Sequence, residues 1–393
     1  MKKIILILVV IFGLGMHAQE SKETKKQYKP TLKINGRIQY DFEFLKRNNV
    51  DNYFNDNEFR RVHFSVLGNV AKNVKYKVET DFAHGELGFR DVYIKYTAGK
   101  YGNFAFGSLA EPTSLDMETS SKYMAFFDRA MLTSLQNFRW GSGFHYENFG
   151  LLHGKMSLQM AYTNNGFDNE GFRDTSLEDG MNFVARVTGT VINNKEKKQI
   201  VHLGINYDSR PYKDLKFRPE NHMGSKYHYV FDGADNRKDL GFELGTTFGP
   251  ISVQGEYKKQ TLNATEKDYK MTAYYAFASY FITGEYRPYK HAAFGRVKPK
   301  NDIDNGGFGA IEVLARYSSM RTSKDVINLE RLNPETLIME KVNPQYDINN
   351  ISLGLNWYLN SHMRVMYNYV ITDDGNDILG NLGQHLFRVQ LDF

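Results

Sequence analysis

The chain of 393 residues has no cysteine, only 9 prolines and 2 tryptophans. Without cysteine there is no disulfide scaffold and no thiolate metal site. Scarce proline argues against a disordered chain. Beyond its first residues the sequence has no run of about 18 apolar side chains, which excludes helical membrane spans. An excess of one charge is missing too: 50 Lys and Arg stand against 45 Asp and Glu, a formal +5 that implies no nucleic-acid partner. What is abundant is tyrosine (26) and phenylalanine (28), in a chain whose mean hydropathy of -0.52 is that of a soluble protein of two or three domains. The order of residues, not their totals, separates the remaining classes.

Residues 1–18 read as a secretory signal: Lys2-Lys3, an apolar stretch from Ile4 to Leu14, and Ala18 at the cut. Its removal takes two lysines and no acid, leaving +3 of the formal +5. Residues 19–30 carry lysines without an apolar pattern and read as a periplasmic lead-in to a single domain over 31–393.

From Ile34 onward the pattern has a period of two. Ile34, Gly36, Ile38, Tyr40, Phe42 and Phe44 share one face, and Lys33, Asn35, Arg37, Gln39, Asp41 and Glu43 the other. Roughly sixteen such runs follow, among them 31–46, 58–70, 73–83, 136–148, 347–359, 362–372 and 384–393, and none shows a helical period. Short links such as Ala71-Lys72, Gly249-Pro250 and Asn360-Ser361 alternate with long ones near 110–135, 210–238 and 321–346. That asymmetry, with strand lengths of about 9–14 residues, predicts an all-β fold, a transmembrane antiparallel β-barrel of about 16 strands in the cell outer membrane. Backbone in lipid must be fully paired, so the sheet must close. A stack of soluble β-sandwiches is the alternative; the aromatic residues crowding the strand ends and the terminal Phe393 weigh against it. Residues 285–306 break the alternation, being long where a short turn is due, and read either as a periplasmic excursion or as a miscounted strand pair.

Several stretches together resemble the phosphate-selective porin O/P family: Phe59–Phe64, Tyr76–Phe82, Phe89–Ile94, Phe106–Pro112, Ser120–Ala130, Thr283–Tyr289, Ala315–Ser318, Leu353–Leu359 and Phe387–Phe393. The resemblance implies a sixteen-stranded homotrimeric porin whose third long loop folds inward as a constriction lined by basic residues. It implies passive diffusion of small anions such as phosphate or polyphosphate, with outer-membrane lipids as surroundings. One departure is visible: residues 110–118 carry three acids and no base.

By parity Arg37, Arg61, His63, Asp91, Tyr93, Lys95, Arg139, Arg186, Arg316, Arg364 and Arg388 face the lumen, since a charge on the lipid face costs about 2–4 kcal/mol at the midplane. The alternative for each base is a wall-holding pair with acids such as Asp41, Glu43, Asp91 or Glu312. Arg60 falls on the apolar parity near a strand end and reads as a residue that lies at the rim or snorkels. The link from Leu109 to Leu135 contains Met124, Phe126, Phe127, Met131 and Leu132, too apolar for a solvated loop, so it is expected to pack inside the barrel. Sealing a trimer contact is the competing use. Packed inside, it brings Ser121, Lys122 and Arg129 to the narrowest point beside Arg37, Arg61, Asp91, Lys95 and Arg139 as the pore-lining, anion-binding set. There is no phosphate-binding Gly-rich loop, His-Glu-x-x-His or Gly-x-Ser-x-Gly, so an enzyme is not expected, nor a cofactor or a metal. A non-selective porin and a plugged structural or adhesin barrel remain the alternatives.

Overall fold

The computed structural model describes residues 28–49, 53–85, 87–136, 140–165, 180–224, 227–322, 328–332, 339–342, 347–375 and 380–393. The signal at 1–18 and most of the lead-in at 19–30 lie outside these residues; Tyr28, Lys29 and Pro30 are exposed coil.

Sixteen strands close one antiparallel barrel. In chain order they are β1 (Lys33–Arg47), β2 (Tyr53–Ala71), β3 (Val74–Asp81), β4 (Gly88–Thr97), β5 (Asn103–Ala110), β6 (Trp140–Gly150), β7 (Met156–Asn165) and β8 (Asn182–Asn194). The second half comprises β9 (Gln199–Pro211), β10 (Ala234–Phe248), β11 (Ile251–Ala264), β12 (Tyr269–Phe281), β13 (Ala310–Thr322), β14 (Asp347–Tyr358), β15 (Met363–Asp373) and β16 (Leu382–Asp392). Each strand pairs with its sequence neighbour, and β1 pairs with β16 from Arg37↔Asp392 to Arg47↔Leu382. Phe393 extends that seam through two backbone bonds with Gly36 (3.0 and 3.1 Å).

Burial is inverted relative to a soluble protein. Gln39, Asp41 and Glu43 are fully buried, whereas Ile38, Phe42 and Phe44 between them are exposed. On β14 and β16 likewise, Asn350, Ser352, Asn356 and Arg388 are buried, and Ile351, Leu353, Leu355, Phe387 and Val389 lie outside. The apolar parity therefore faces lipid and the polar parity faces a filled interior.

Five register shifts interrupt the described ladders, and two of them bear on the lumen charges. Gln39 pairs with Arg61 but Tyr40 with Phe59, so Arg60 is an extra residue in β2. Val78 pairs with Val92 but Thr80 with Phe89, so Arg90 and Asp91 together face Glu79. Each bulge turns a residue off the strict alternation. Arg60 is accordingly a lumen residue and not the rim residue that counting by twos suggests.

Residues 285–306 are an excursion from the short-turn side, not a miscounted strand pair, because β12 pairs directly with β13 from Met271↔Thr322 to Phe281↔Glu312. The excursion turns inward, carrying a two-residue hairpin of Tyr289–Lys290 and Ala293–Phe294. On the other side, the links after β9 and β13 supply short strands that pair into a separate four-stranded sheet, in the order 215–217, 227–230, 328–332 and 339–342. An apolar cluster fills one side of the interior. It joins Phe126, Met131, Leu132 and Leu135 to Phe217, Tyr227, Tyr229, Tyr275, Phe277 and Leu314.

Where the chain leaves β5 for the interior, Gly107 pairs with Gly143 of β6, and both have positive φ (133° and 159°). A Cβ on Gly107 would lie 2.1 Å from the Val92 carbonyl oxygen. Gly107→Ala is therefore expected to destabilise the barrel by about 2 kcal/mol or more, measured as the urea midpoint of heat-modifiable gel mobility in lipid vesicles.

Candidate functional site

The link between β5 and β6 enters the barrel, as its apolar residues require. Met124, Phe126, Phe127, Met131 and Leu132 are each 2% exposed or less within a single chain. At its start Glu111 is buried and held by Thr163, by Asn182 (3.3 Å) and by Arg210 (2.8 Å). A single helical turn, Leu115–Glu118, follows, with Ser114 accepting from the Met117 amide. The amides of Leu115 and Asp116, which have no partner within so short a helix, donate to Glu256 of β11 at 3.0 and 2.8 Å. Tyr275 donates to the same carboxylate at 2.5 Å.

Past this turn the loop has no strand to pair with, and wall side chains meet its backbone instead. Arg388 donates to the Phe127 carbonyl (2.6 Å), Arg364 to Met124 (2.7 Å), Arg316 to Asp128 (3.0 Å) and Asn356 to Ala125 (2.8 Å). Gln39 and Gln390 hold the carbonyls of Ser121 and Lys122, each at 3.1 Å. Asn368 accepts from the Phe127 amide at 2.6 Å. Arg316 and Arg388 also stack over Phe126 and Phe127 at 4.2 and 4.1 Å. Parity puts all three arginines inward correctly, but they clamp the loop: Arg388 is closed off by Asp41 (2.7 and 2.6 Å) and Arg316 by Glu220 (2.6 Å).

Arg186 has a similar task on the inward excursion. It forks onto Glu243 (2.9 and 2.7 Å) and donates to the Ala292 carbonyl (2.9 Å). Tyr289 bonds His202 (2.7 Å), and Arg296 joins Asp392 while stacking on Tyr123 of the constriction loop at 5.2 Å.

Space large enough for a small solute lies against the wall β1–β6. A cavity of about 640 Å³ is lined by Arg37, Arg61, Asp91, Ser121, Lys122 and Arg129, six residues of the sequence-derived set. Lys95 belongs to an adjoining cavity of about 180 Å³ that shares Asp91, Tyr93, Ala110 and Glu118 with the first. Arg139 lies outside the described residues. Counting by twos missed Arg60 and Arg90, which the bulges turn inward; the visible signal is two adjacent charged residues, Arg60-Arg61 and Arg90-Asp91, inside a strand. Lys77 joins them from the lumen parity of β3, and Lys216 comes from the outer loop sheet.

Eight bases line the chamber (Arg37, Arg60, Arg61, Lys77, Arg90, Lys122, Arg129 and Lys216) against four acids (Glu79, Asp81, Asp91 and Glu118). Lys77 is taken up by Asp91 (2.8 Å) and Glu79, and Arg90 by Asp81 (2.9 Å). Arg37 reaches Ser121, His63 (2.7 Å) and Glu79 (3.6 Å). Arg61 bonds the neutral Gln39 (2.8 Å), and among the described residues no carboxylate lies within 4.0 Å of Arg61 or Lys122. Burial, followed by the charges of Arg37 and Arg296, pushes the Lys122 ammonium below the usual lysine range against the pull of Asp392. The chamber thus keeps cationic groups turned toward solvent after its wall pairs are satisfied.

The loop histidines hold local contacts: His222 bonds Glu58, His228 bonds Asp214 (3.0 Å), and His291 stacks on Phe149 at 4.9 Å.

The family described as phosphate-selective porin O and P matches residues 32–383. Porin O of Pseudomonas aeruginosa is 27% identical over 392 residues, covering 89% of this chain and 84% of that protein. Among solved structures, the anion-selective porin of Comamonas acidovorans superposes with a TM-score of 0.57 at 12% identity, covering 93% of this chain and 100% of that one. Vibrio cholerae OmpT in its trimer form gives 0.54 at 14% identity, covering 93% and 100%. At such identities the superpositions speak for the fold.

Two classes of arginine follow, and stability separates them. Arg388→Ala leaves Asp41 buried and the Phe127 carbonyl bare, so it is expected to cost roughly 3–5 kcal/mol. Arg61→Ala loses one charge-assisted hydrogen bond to an uncharged partner, Gln39, about 1.5–3 kcal/mol and less than the buried ion pair. Urea unfolding of both variants in lipid vesicles measures the difference.

Proposed function

The chain belongs to the phosphate-selective porin O and P family, and from that premise we propose that its outer-membrane barrel passes small hydrophilic anions, inorganic phosphate among them, by passive diffusion. The observation that carries the reading is the chamber's two-to-one excess of bases, with Arg61 and Lys122 lacking carboxylate partners among the described residues. Fixed positive charge in a narrow, low-dielectric space raises the local concentration of anions and lowers their cost of entry. Arg37, Arg60 and Arg61 supply planar forks that match two phosphate oxygens, whereas Lys122 acts as a point charge. Ser121 adds a hydroxyl beside Arg37. Asp91 and Glu118 lie where the chamber meets the smaller cavity, and their repulsion favours the onward release of an anion that has passed the bases.

The same reading makes the protein a channel and not an enzyme, and needs no cofactor. We further propose export under a signal at 1–18, a lead-in over 19–30 and a barrel over 31–393. Assembly as a homotrimer is supported by the trimer form of the Vibrio cholerae structural neighbour. A plugged structural barrel is the second reading, favoured by the apolar cluster and the two inward segments; ion current in planar bilayers separates the two.

Under a KCl gradient the reversal potential is expected to report preference for chloride over potassium, reduced by about twofold or more in Arg61→Ala or Lys122→Ala. Cation selectivity untouched by both substitutions removes the anion claim. Lys122 adds a pH signature. Its depressed ammonium loses its proton below the usual value of about 10.4. Chloride selectivity is therefore expected to fall in the wild type at a pH below that of an ordinary lysine, and to stay flat there in Lys122→Arg, whose guanidinium remains charged.

A further inference from the structure

Asp128 sits among the chamber's arginines, 9% exposed, on the constriction loop. Its backbone is fixed: Arg316 holds its carbonyl at 3.0 Å, and Arg388 and Asn368 hold the preceding Phe127, each at 2.6 Å. The carboxylate itself is held differently. Oδ1 lies 3.7 Å from Arg60 Nη2, an ion-pair distance too long for a hydrogen bond, and the buried Oδ2 has no protein donor. Arg60 Nε is likewise without a protein acceptor. A carboxylate placed to brace a loop accepts hydrogen bonds, as Glu256 does; this one meets its neighbours by charge alone. Burial pushes its pKa up, but Arg60, Arg388 and Arg61 outweigh that and hold the group ionised below the usual carboxylate range.

We propose that Asp128 is an internal counter-anion, occupying the position over Arg60 that a solute anion would take and thereby setting how tightly the chamber holds its solute. The bulge in β2 explains why such a group is useful. It aims Arg60 and Arg61 into the same space, and two adjacent guanidiniums facing no acid would retain a multivalent anion. Conduction requires binding that is favourable on entry and weak enough for exit. A carboxylate tethered through its clamped backbone competes at fixed effective concentration and cannot be washed out. This inference rests on the anion-porin reading and adds to it the residue that limits affinity.

The test uses the full chain in planar bilayers, with inorganic phosphate titrated against chloride current. D128N is expected to lower the half-blocking phosphate concentration by about three- to tenfold and to raise the chloride-to-potassium permeability ratio. D128S, smaller and also neutral, carries the same expectation should D128N fail to reach the heat-modifiable fold. In the R60Q/D128N double variant the gain relative to R60Q alone is expected to shrink to near zero, because the pair is what the carboxylate neutralises. A wild type that phosphate does not block, with no anion selectivity, overturns the porin reading itself. A wild type that phosphate does block, with D128N and D128S unchanged from it, overturns only the role of Asp128. Larger conductance with lower selectivity in the neutral variants identifies Asp128 as a brace and also overturns it.

Discussion

Backbone threaded through the inside of a barrel has no adjacent strand to complete its ladder and little water to replace one, and each buried carbonyl left bare costs about 1–3 kcal/mol. The constriction loop meets that constraint with side chains reaching inward from the wall: Arg316, Arg364, Arg388, Asn356, Gln39 and Gln390. Much of the lumen's polarity is therefore committed before any solute arrives. A tally of inward arginines overstates the charge a permeant ion meets, because a guanidinium divided between Asp41 and the Phe127 carbonyl has nothing left to offer. The free field comes from the few bases set against β1–β6, away from the clamps.

What could be read from the residues follows from how local the physics is. Strand parity is local, and lipid on one side enforces it strictly, so the runs at 31–46, 347–359 and 384–393 correspond to β1, β14 and β16 within a few residues. The inward loop was legible for a related reason: Phe126, Phe127 and Met131 are too apolar for water, and the barrel interior is the available shelter. Arg60 and Arg90 were misjudged because a bulge is a register event between two strands, invisible when one strand is counted alone. The division between clamping and solvent-facing arginines depends on loop carbonyls more than 180 positions away, which no periodicity marks. The outer four-stranded sheet, paired between residues 227–230 and 328–332, is hidden for the same reason.

The interior is divided lengthwise. On the β11–β13 side, the buried cluster around Phe126, Tyr275 and Phe277 roots the loop. The side lined by β1–β6 stays polar and holds the described cavities. Glu256 joins the two halves, since it receives the helical turn on which the loop pivots from wall to chamber. Rigidity and permeability thus occupy different sectors of one cross-section, and a change in one sector need not disturb the other.

The two inward segments enter from opposite rims and approach one another near Gly245, where Leu115 of one and Phe294 of the other come together. Because both lean toward the far wall, the void they leave is eccentric, hugging a single arc of the cylinder. An ion crossing such a crescent would stay within reach of the arc's charged row. Its walk would be confined to a rail, with hand-over from one contact to the next in place of free wandering across a hole.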